Sequence, residues 1–240
     1  METNIIPNEV DYFSIPALSK SALDQVAISP ANYRHWLENP KKPTPAMEFG
    51  TLVHEAILEP EKLMFREFQE KKNKALINNL IQARNISKAL FDSIYGKLFK
   101  DGLAEKIYLC LINLESFKCK IDYIRPKDGI IIDVKTTADS SEKAFLNSVL
   151  KYRYHVQEAL YREIAERNGI TINHFIFIVI EKKEPCLIRA YMLNDEFRQK
   201  GTELYTRDLE TYIKCKESGE WPDNTSASEI QLLEYPRWAS

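Results

Sequence analysis

The stretch GIIIDVKTT, residues 129–137, constrains the fold more than any other part of the chain. Its isoleucines and valine are β-branched residues that favour strands, and a strand apolar on both faces belongs inside a sheet. Unpaired charge is costly there, yet the same strand carries Asp133 and Lys135. Residues two apart on a strand share a face, so both point the same way. The preceding segment, CKIDYIRP, brings Asp122, and PKDG at 126–129 is a turn signal. If Lys127 and Asp128 form a two-residue loop, Asp122 lies opposite Asp133. If Asp128 and Gly129 form it, Asp122 lies opposite Lys135. Either register puts all three side chains on one face. Directly opposed positions hold their Cβ atoms about 4.5–5.5 Å apart, where like charges destabilise the pair. Two carboxylates so placed invite a divalent cation, and an oxygen-rich site favours magnesium or manganese. The competing reading is an Asp–Lys ion pair on an edge strand, which contributes little. The apolar flank speaks for a central strand instead.

The rest of the chain frames this strand. Residues 1–67 read as short helices: Ser19 is an N-cap in LSKSALDQVA, and Ser29 caps SPANYRHWLENP with Pro30 at the first helical position. AMEFGTLVHEAILEP has helical apolar spacing and stops at Pro60. Residues 68–104 are polar and helical in pattern. From Glu105 onward, KIYLCLIN and FKCKIDYIR read as paired strands, with GIIIDVKTT as a third. A long helix over 141–167, strands in HFIFIVIEK and CLIRAYML, and a helix over 195–217 complete the pattern. On the long helix, Phe145, Val149, Tyr152, Val156, Leu160 and Ile164 form a stripe for packing on the sheet. Gln157 and Tyr161, four apart, project together. This gives an α/β chain read as a single domain, 1–240, with a mainly helical part (1–104), a sheet core (105–193), and a C-terminal helix and tail (194–240).

Composition excludes some classes. With seven glycines and neither GxGxxG nor a P-loop, a nucleotide-phosphate cradle is not expected. No apolar run reaches the roughly 18 residues of a membrane span, and no leader is visible. The four cysteines lack CxxC spacing and read as buried thiols, which places the chain in a reducing cytoplasm. A net charge of −2 gives no overall pull towards nucleic acid, so any DNA contact needs a local patch.

Asp122 followed by Asp133-Val134-Lys135 on the next strand resembles the PD-(D/E)xK nuclease pattern. LSKSALDQVAISPANYRHW is similar to the Ser-rich helix and SP turn that open its RecB-like branch. FGTLVHEAILEP is similar to that branch's histidine motif, and YRYHVQEALYREI to its Gln-x-x-x-Tyr motif. DVKTTADS and the ending EWPDNTSASEIQLLEYPRWA resemble the RecE (exonuclease VIII) nuclease domain and related phage exonucleases. Ile121 stands where the family name has proline.

The resemblance implies a restriction-endonuclease-like core with a mixed central sheet flanked by helices, plus an N-terminal helical region. It implies Mg²⁺, or Mn²⁺ in its place, held by Asp122, Asp133, the Val134 carbonyl and His54. Gly50, one turn before His54, leaves room beside the imidazole. Glu105 would bind metal directly or through water. Lys135 would orient or deprotonate the attacking water and stabilise phosphate charge. Gln157 and Tyr161 would contact DNA or brace the lysine; Ser19, Ser21, Arg34 and Tyr154 would meet DNA. The implied activity is 5′→3′ digestion of linear double-stranded DNA. It would leave 3′ single strands for a RecT-like annealing protein, with the enzyme acting as a ring of three or four identical subunits. An endonuclease on the same core, or an inert DNA-binding subunit, are the alternatives.

Overall fold

The computed structural model describes residues 5–6, 10–40, 42–69 and 74–223. From residue 224 onward the family-like ending and the tail lie outside the described residues. The N-terminal helices begin where side-chain oxygens satisfy their free amides. Ser19 accepts the Ala22 N–H at the start of α1 (Lys20–Ile28). Ser29 accepts the Asn32 N–H ahead of α2 (Pro30–Glu38), whose first residue has no N–H to leave unpaired. Thr44 caps α3 (Pro45–Leu58) in the same way. Pro60 then opens α4 (Pro60–Gln69), and α5 (Lys74–Asp92) follows.

Six strands lie side by side in chain order: β1 (Ile5–Ile6), β2 (Leu103–Ile112), β3 (Glu115–Arg125), β4 (Ile130–Thr137), β5 (His174–Glu181) and β6 (Ile188–Tyr191). All neighbours are antiparallel except β4 and β5. A parallel pair needs a crossover, here supplied by α6 (Glu142–Lys151) and α7 (Tyr154–Arg167). β4 is therefore central, with Ile131 and Ile132 fully buried. α8 (Asp195–Ser218) ends the described fold. One sheet face packs on α1, α6, α7 and α8 around Tyr108, Phe117 and Phe177. The other packs on α3 and α5 around Tyr123, Ile132 and Ile178. This is the mixed, helix-flanked α/β core that the resemblance implies. Among the described residues, no helix is long and apolar enough to cross a membrane, and all four cysteines are free.

Three features differ from the sequence reading. A short strand, β1, precedes the N-terminal helices and pairs with β2. The helix expected over 141–167 is two helices, because Arg153 adopts a left-handed conformation (φ +55°, ψ +46°). Its guanidinium pairs with Asp24 of α1 at 2.9 Å and with Asp208 of α8, while Lys20 Nζ donates to the Tyr152 carbonyl at 2.5 Å. These contacts hold a bend that an L-residue disfavours. The expected stripe is buried at Phe145, Val149, Val156, Leu160 and Ile164, but Tyr152, at the bend, is 50% exposed.

The third difference reshapes the site. Along β3, Ile121 and Ile124 both face the α7 side, while Tyr123 faces α3 and α5. The period-two alternation therefore slips at Asp122. On β2 the slip falls at Glu105, across from Asp122 in the register set by Ala104–Tyr123 and Lys106–Ile121. Glu105 has φ +52°, a conformation rare for glutamate. The β3–β4 ladder pairs Tyr123, Ile124 and Arg125 with Ile132, Ile131 and Ile130. That is the register in which Asp122 counts opposite Asp133, but the strands part before the pair is reached. Asp122 enters the gap between them, and only Asp133 and Lys135 share a face.

Candidate active site

Two groups of side chains meet where β3 and β4 separate. The first is His54 from α3, Glu105 from β2 and Asp122 from β3. A nitrogen or oxygen from each lies within 4.8 Å of the others. His54 Nδ1 is 3.6 Å from Asp122 Oδ2 and 4.0 Å from Glu105 Oε1. His54 Nε2 lies 2.9 Å from the Val134 carbonyl, which can only accept, so Nε2 carries the hydrogen and donates. In a neutral imidazole the lone pair at Nδ1 then faces two carboxylates. Three electron-rich atoms directed at one point repel one another unless a cation or a proton sits among them. The donor set of two carboxylates and one imidazole fits a divalent ion such as Mg²⁺ or Mn²⁺.

Electrostatics tell the same story. Burial pushes the Asp122 carboxyl up to about 6; His54 and Lys135 pull it down, and Asp133 and Glu105 push it further up. Its Oδ2 accepts the Val134 N–H at 2.8 Å, so the side chain takes the place of a ladder bond. Glu105, buried, is also ion-paired with Lys120. Gly50 lines the same cleft as His54, and a Cβ there would meet Thr136 Oγ1 at 3.7 Å, an ordinary contact.

The second group lies on the α7 face. Lys135 Nζ is 2.6 Å from Asp133 Oδ2, and it donates to Gln157 Oε1 at 3.1 Å. The Gln157 side-chain amide donates to Asp133 Oδ1. The buried Asp133 carboxylate is thus engaged by Lys135 and Gln157 rather than by the histidine group. Burial lowers the affinity of Lys135 for its proton, but Asp133 and then Asp122 outweigh that, and its pKa ends above the ordinary value. The ammonium also lies 4.6 Å from the centre of the Tyr154 ring. Tyr161, one turn beyond Gln157, is held neutral by burial.

The expected ligand set is therefore only partly gathered. His54, Glu105 and Asp122 converge; Asp133 stands beside them, one oxygen ion-paired with Lys135 and the other accepting from Gln157. The Val134 carbonyl, expected on the metal, accepts from His54 and has one lone pair left. Ser19 is spent as an N-cap, and Ser21 and Tyr154 line the cleft. Arg34 does not line it: it pairs with Glu38 on the exposed side of α2.

The site opens into a cleft of about 950 Å³ between α1, α3 and the α6–α7 bend. Lys20, Lys62, Lys120, Lys151 and Arg153 join Lys135 along it. Asp24, Glu55, Glu59, Glu105 and Asp122 line the same cleft, so its fixed charges nearly balance, and a cation held among the carboxylates would tip the lining positive. Of the cations that join Lys135, only Lys120, two before Asp122 on one strand, had a visible sequence signal. The others are gathered by the fold.

The fold and the two adjoining groups define a nuclease-type core of the PD-(D/E)xK class, whose sites work with divalent metal. Residues 19–233 match the family described as a PDDEXK-like domain of unknown function (DUF3799), and the chain belongs to that family. Among solved structures, it is similar to a "putative exonuclease" from Eubacterium rectale. The TM-score is 0.71 and the identity 18%, over 96% of each chain. The structure of SSO0001 matches more loosely, with TM-score 0.37 and 14% identity over 68% of this chain and 74% of that one. No curated protein matches the chain.

Proposed function

We propose that the protein is a divalent-metal-dependent exonuclease that digests linear duplex DNA from 5′ ends. The observation that carries this reading is the junction of the His54–Glu105–Asp122 donor set with the Lys135–Asp133–Gln157 cluster at the splayed end of β3 and β4. Mg²⁺ or Mn²⁺ held by His54, Glu105 and Asp122 would supply Lewis acidity for water and phosphate. Gln157 and Asp133 fix the Lys135 ammonium in one place. Placed there, the ammonium would stabilise charge on the phosphate and orient water. The Tyr154 ring confines it from one side. Similarity to the RecE-like exonucleases supports the 5′→3′ polarity, the 3′ single-stranded product, the RecT-like annealing partner and a ring of subunits.

The test is digestion of a linear duplex labelled separately at its 5′ and 3′ ends, beside a covalently closed circle, in Mg²⁺ or EDTA. Metal-dependent loss from 5′ ends with the circle intact is the expected result. Cutting of the circle would replace the exonuclease reading by an endonuclease. Binding of DNA without any cutting would reduce the chain to a binding subunit.

A further inference from the structure

At the α6–α7 bend an aromatic ring projects into the cleft, and the fold goes to some length to put it there. Regular helix through residue 152 would turn Tyr152 onto the sheet with Val149 and Val156, both fully buried. Instead Arg153 takes a left-handed backbone, a conformation that is disfavoured in a non-glycine residue and persists only where surroundings impose it. The surroundings are three charged contacts from two other helices: Asp24 and Asp208 on the Arg153 guanidinium, and Lys20 on the Tyr152 carbonyl. The outcome is a half-exposed Tyr152 lining the same cleft as His54, Asp122 and Lys135.

Tyr152 is also connected to the catalytic cluster. Its ring stacks on Tyr154, with centroids 5.7 Å apart and planes inclined by 28°. Tyr154 in turn lies under the Lys135 ammonium and stacks on Phe177 in the core. One ring therefore separates Tyr152 from the lysine, and the two are at most about 10 Å apart. At ~3.4 Å per stacked nucleotide along a strand, that is about three nucleotides. The Lys151 ammonium lies 5.3 Å from the Tyr152 ring centre, within reach of a neighbouring phosphate once a base takes the ring. An exposed aromatic ring flanked by cations is the arrangement proteins use to hold single-stranded bases by stacking.

We propose that Tyr152 is a base-stacking residue that sets the register of the DNA strand, gripping a nucleobase about three nucleotides or fewer from the phosphate beside Lys135. It acts through the base face, so it is indifferent to sequence and requires a base, not merely a backbone. This rests on the nuclease reading of the site.

The experiment measures binding without cleavage, with Ca²⁺ in place of Mg²⁺. Single-stranded oligonucleotides, and duplexes with short single-stranded ends, carry 2-aminopurine or an abasic residue at each of the four terminal positions in turn. Stacking is worth ~1–3 kcal/mol per base, about 5- to 150-fold in Kd. Tyr152→Ala should weaken binding within that range and abolish quenching of 2-aminopurine at one position. Tyr152→Phe should retain both. With an abasic residue at that position, wild type and Tyr152→Ala should bind alike. Equal affinity of wild type and Tyr152→Ala for the intact strand would overturn the proposal, as would a loss that persists undiminished at every abasic substrate. If the wild-type protein neither binds nor cuts DNA, the nuclease reading falls; if it cuts and only the Tyr152 effects are missing, this inference alone falls.

Discussion

Removing a charge from the metal-binding group should make the metal-free protein more stable. Asp122 is the residue to change. In the folded chain its carboxyl is raised from 3.8 to about 6, chiefly by burial. Between those two values the folded protein keeps a proton on Asp122 that the unfolded chain has released. Stability therefore falls as pH rises through the window, and the full cost is present above it. At ~1.4 kcal/mol per pH unit, the cost near pH 7.5 is up to ~3 kcal/mol. Asp122→Asn removes the charge while its amide oxygen can still accept the Val134 N–H, so little else is lost. For a chain of this length ~1 kcal/mol moves Tm by about 2–4 °C, giving a rise of up to ~10 °C in EDTA. At pH 5 the advantage should shrink to about half. Saturating Mg²⁺ should narrow or reverse it, because an ion at 100 times its Kd adds ~2.7 kcal/mol to the wild type alone. Thermal and urea unfolding at pH 5 and 7.5, with EDTA or Mg²⁺, read all of this. An Asn variant no more stable than wild type in EDTA at pH 7.5 would falsify the reading of Asp122 as a carboxylate held for a cation.

Lys135→Ala should lower the single-turnover cleavage rate by a hundredfold or more while leaving Mg²⁺ affinity, measured by calorimetry, within a few-fold; retained turnover would remove the ammonium from the mechanism. DNA affinity in Ca²⁺ should fall linearly with log salt, with a slope of about −0.9 per phosphate contacted in duplex, and Lys120→Ala should reduce that slope by about one. A flat response would argue against phosphate contacts along the cleft. Gly201→Ala should destabilise the protein by about 1–3 kcal/mol or more, because the new Cβ would sit 2.2 Å from the His155 carbonyl oxygen, where α8 meets α7. Denaturant titration showing no change would mean that the two helices are not in the close contact described.

What could be read from the sequence was whatever depended on neighbours along the chain. Ser19 and Ser29 are caps because a hydroxyl three residues before an amide is local chemistry. GIII marks β4 as central because both faces of a strand are visible in its own side chains. The Gln157–Tyr161 pair reaches the sheet because helical spacing puts both on one side. The bend at Arg153 could not be read this way: Asp24 and Asp208, which hold it, are 129 and 55 residues away. Nor could the slip at Glu105 and Asp122, since strict alternation was the premise that put Asp122 on a face with Asp133 and Lys135. The failure of that premise is informative. Left to regular pleating, Asp122 would oppose Asp133 and the two charges would repel directly. By slipping, the strand sends Asp122 into the gap towards His54 and leaves Asp133 to Lys135 and Gln157. One crowded carboxylate pair becomes two differently occupied positions: one short of positive charge, the other already supplied with it. A local rule broken in step on two paired strands, at the two acidic residues nearest His54, is where a fold trades regularity for a site.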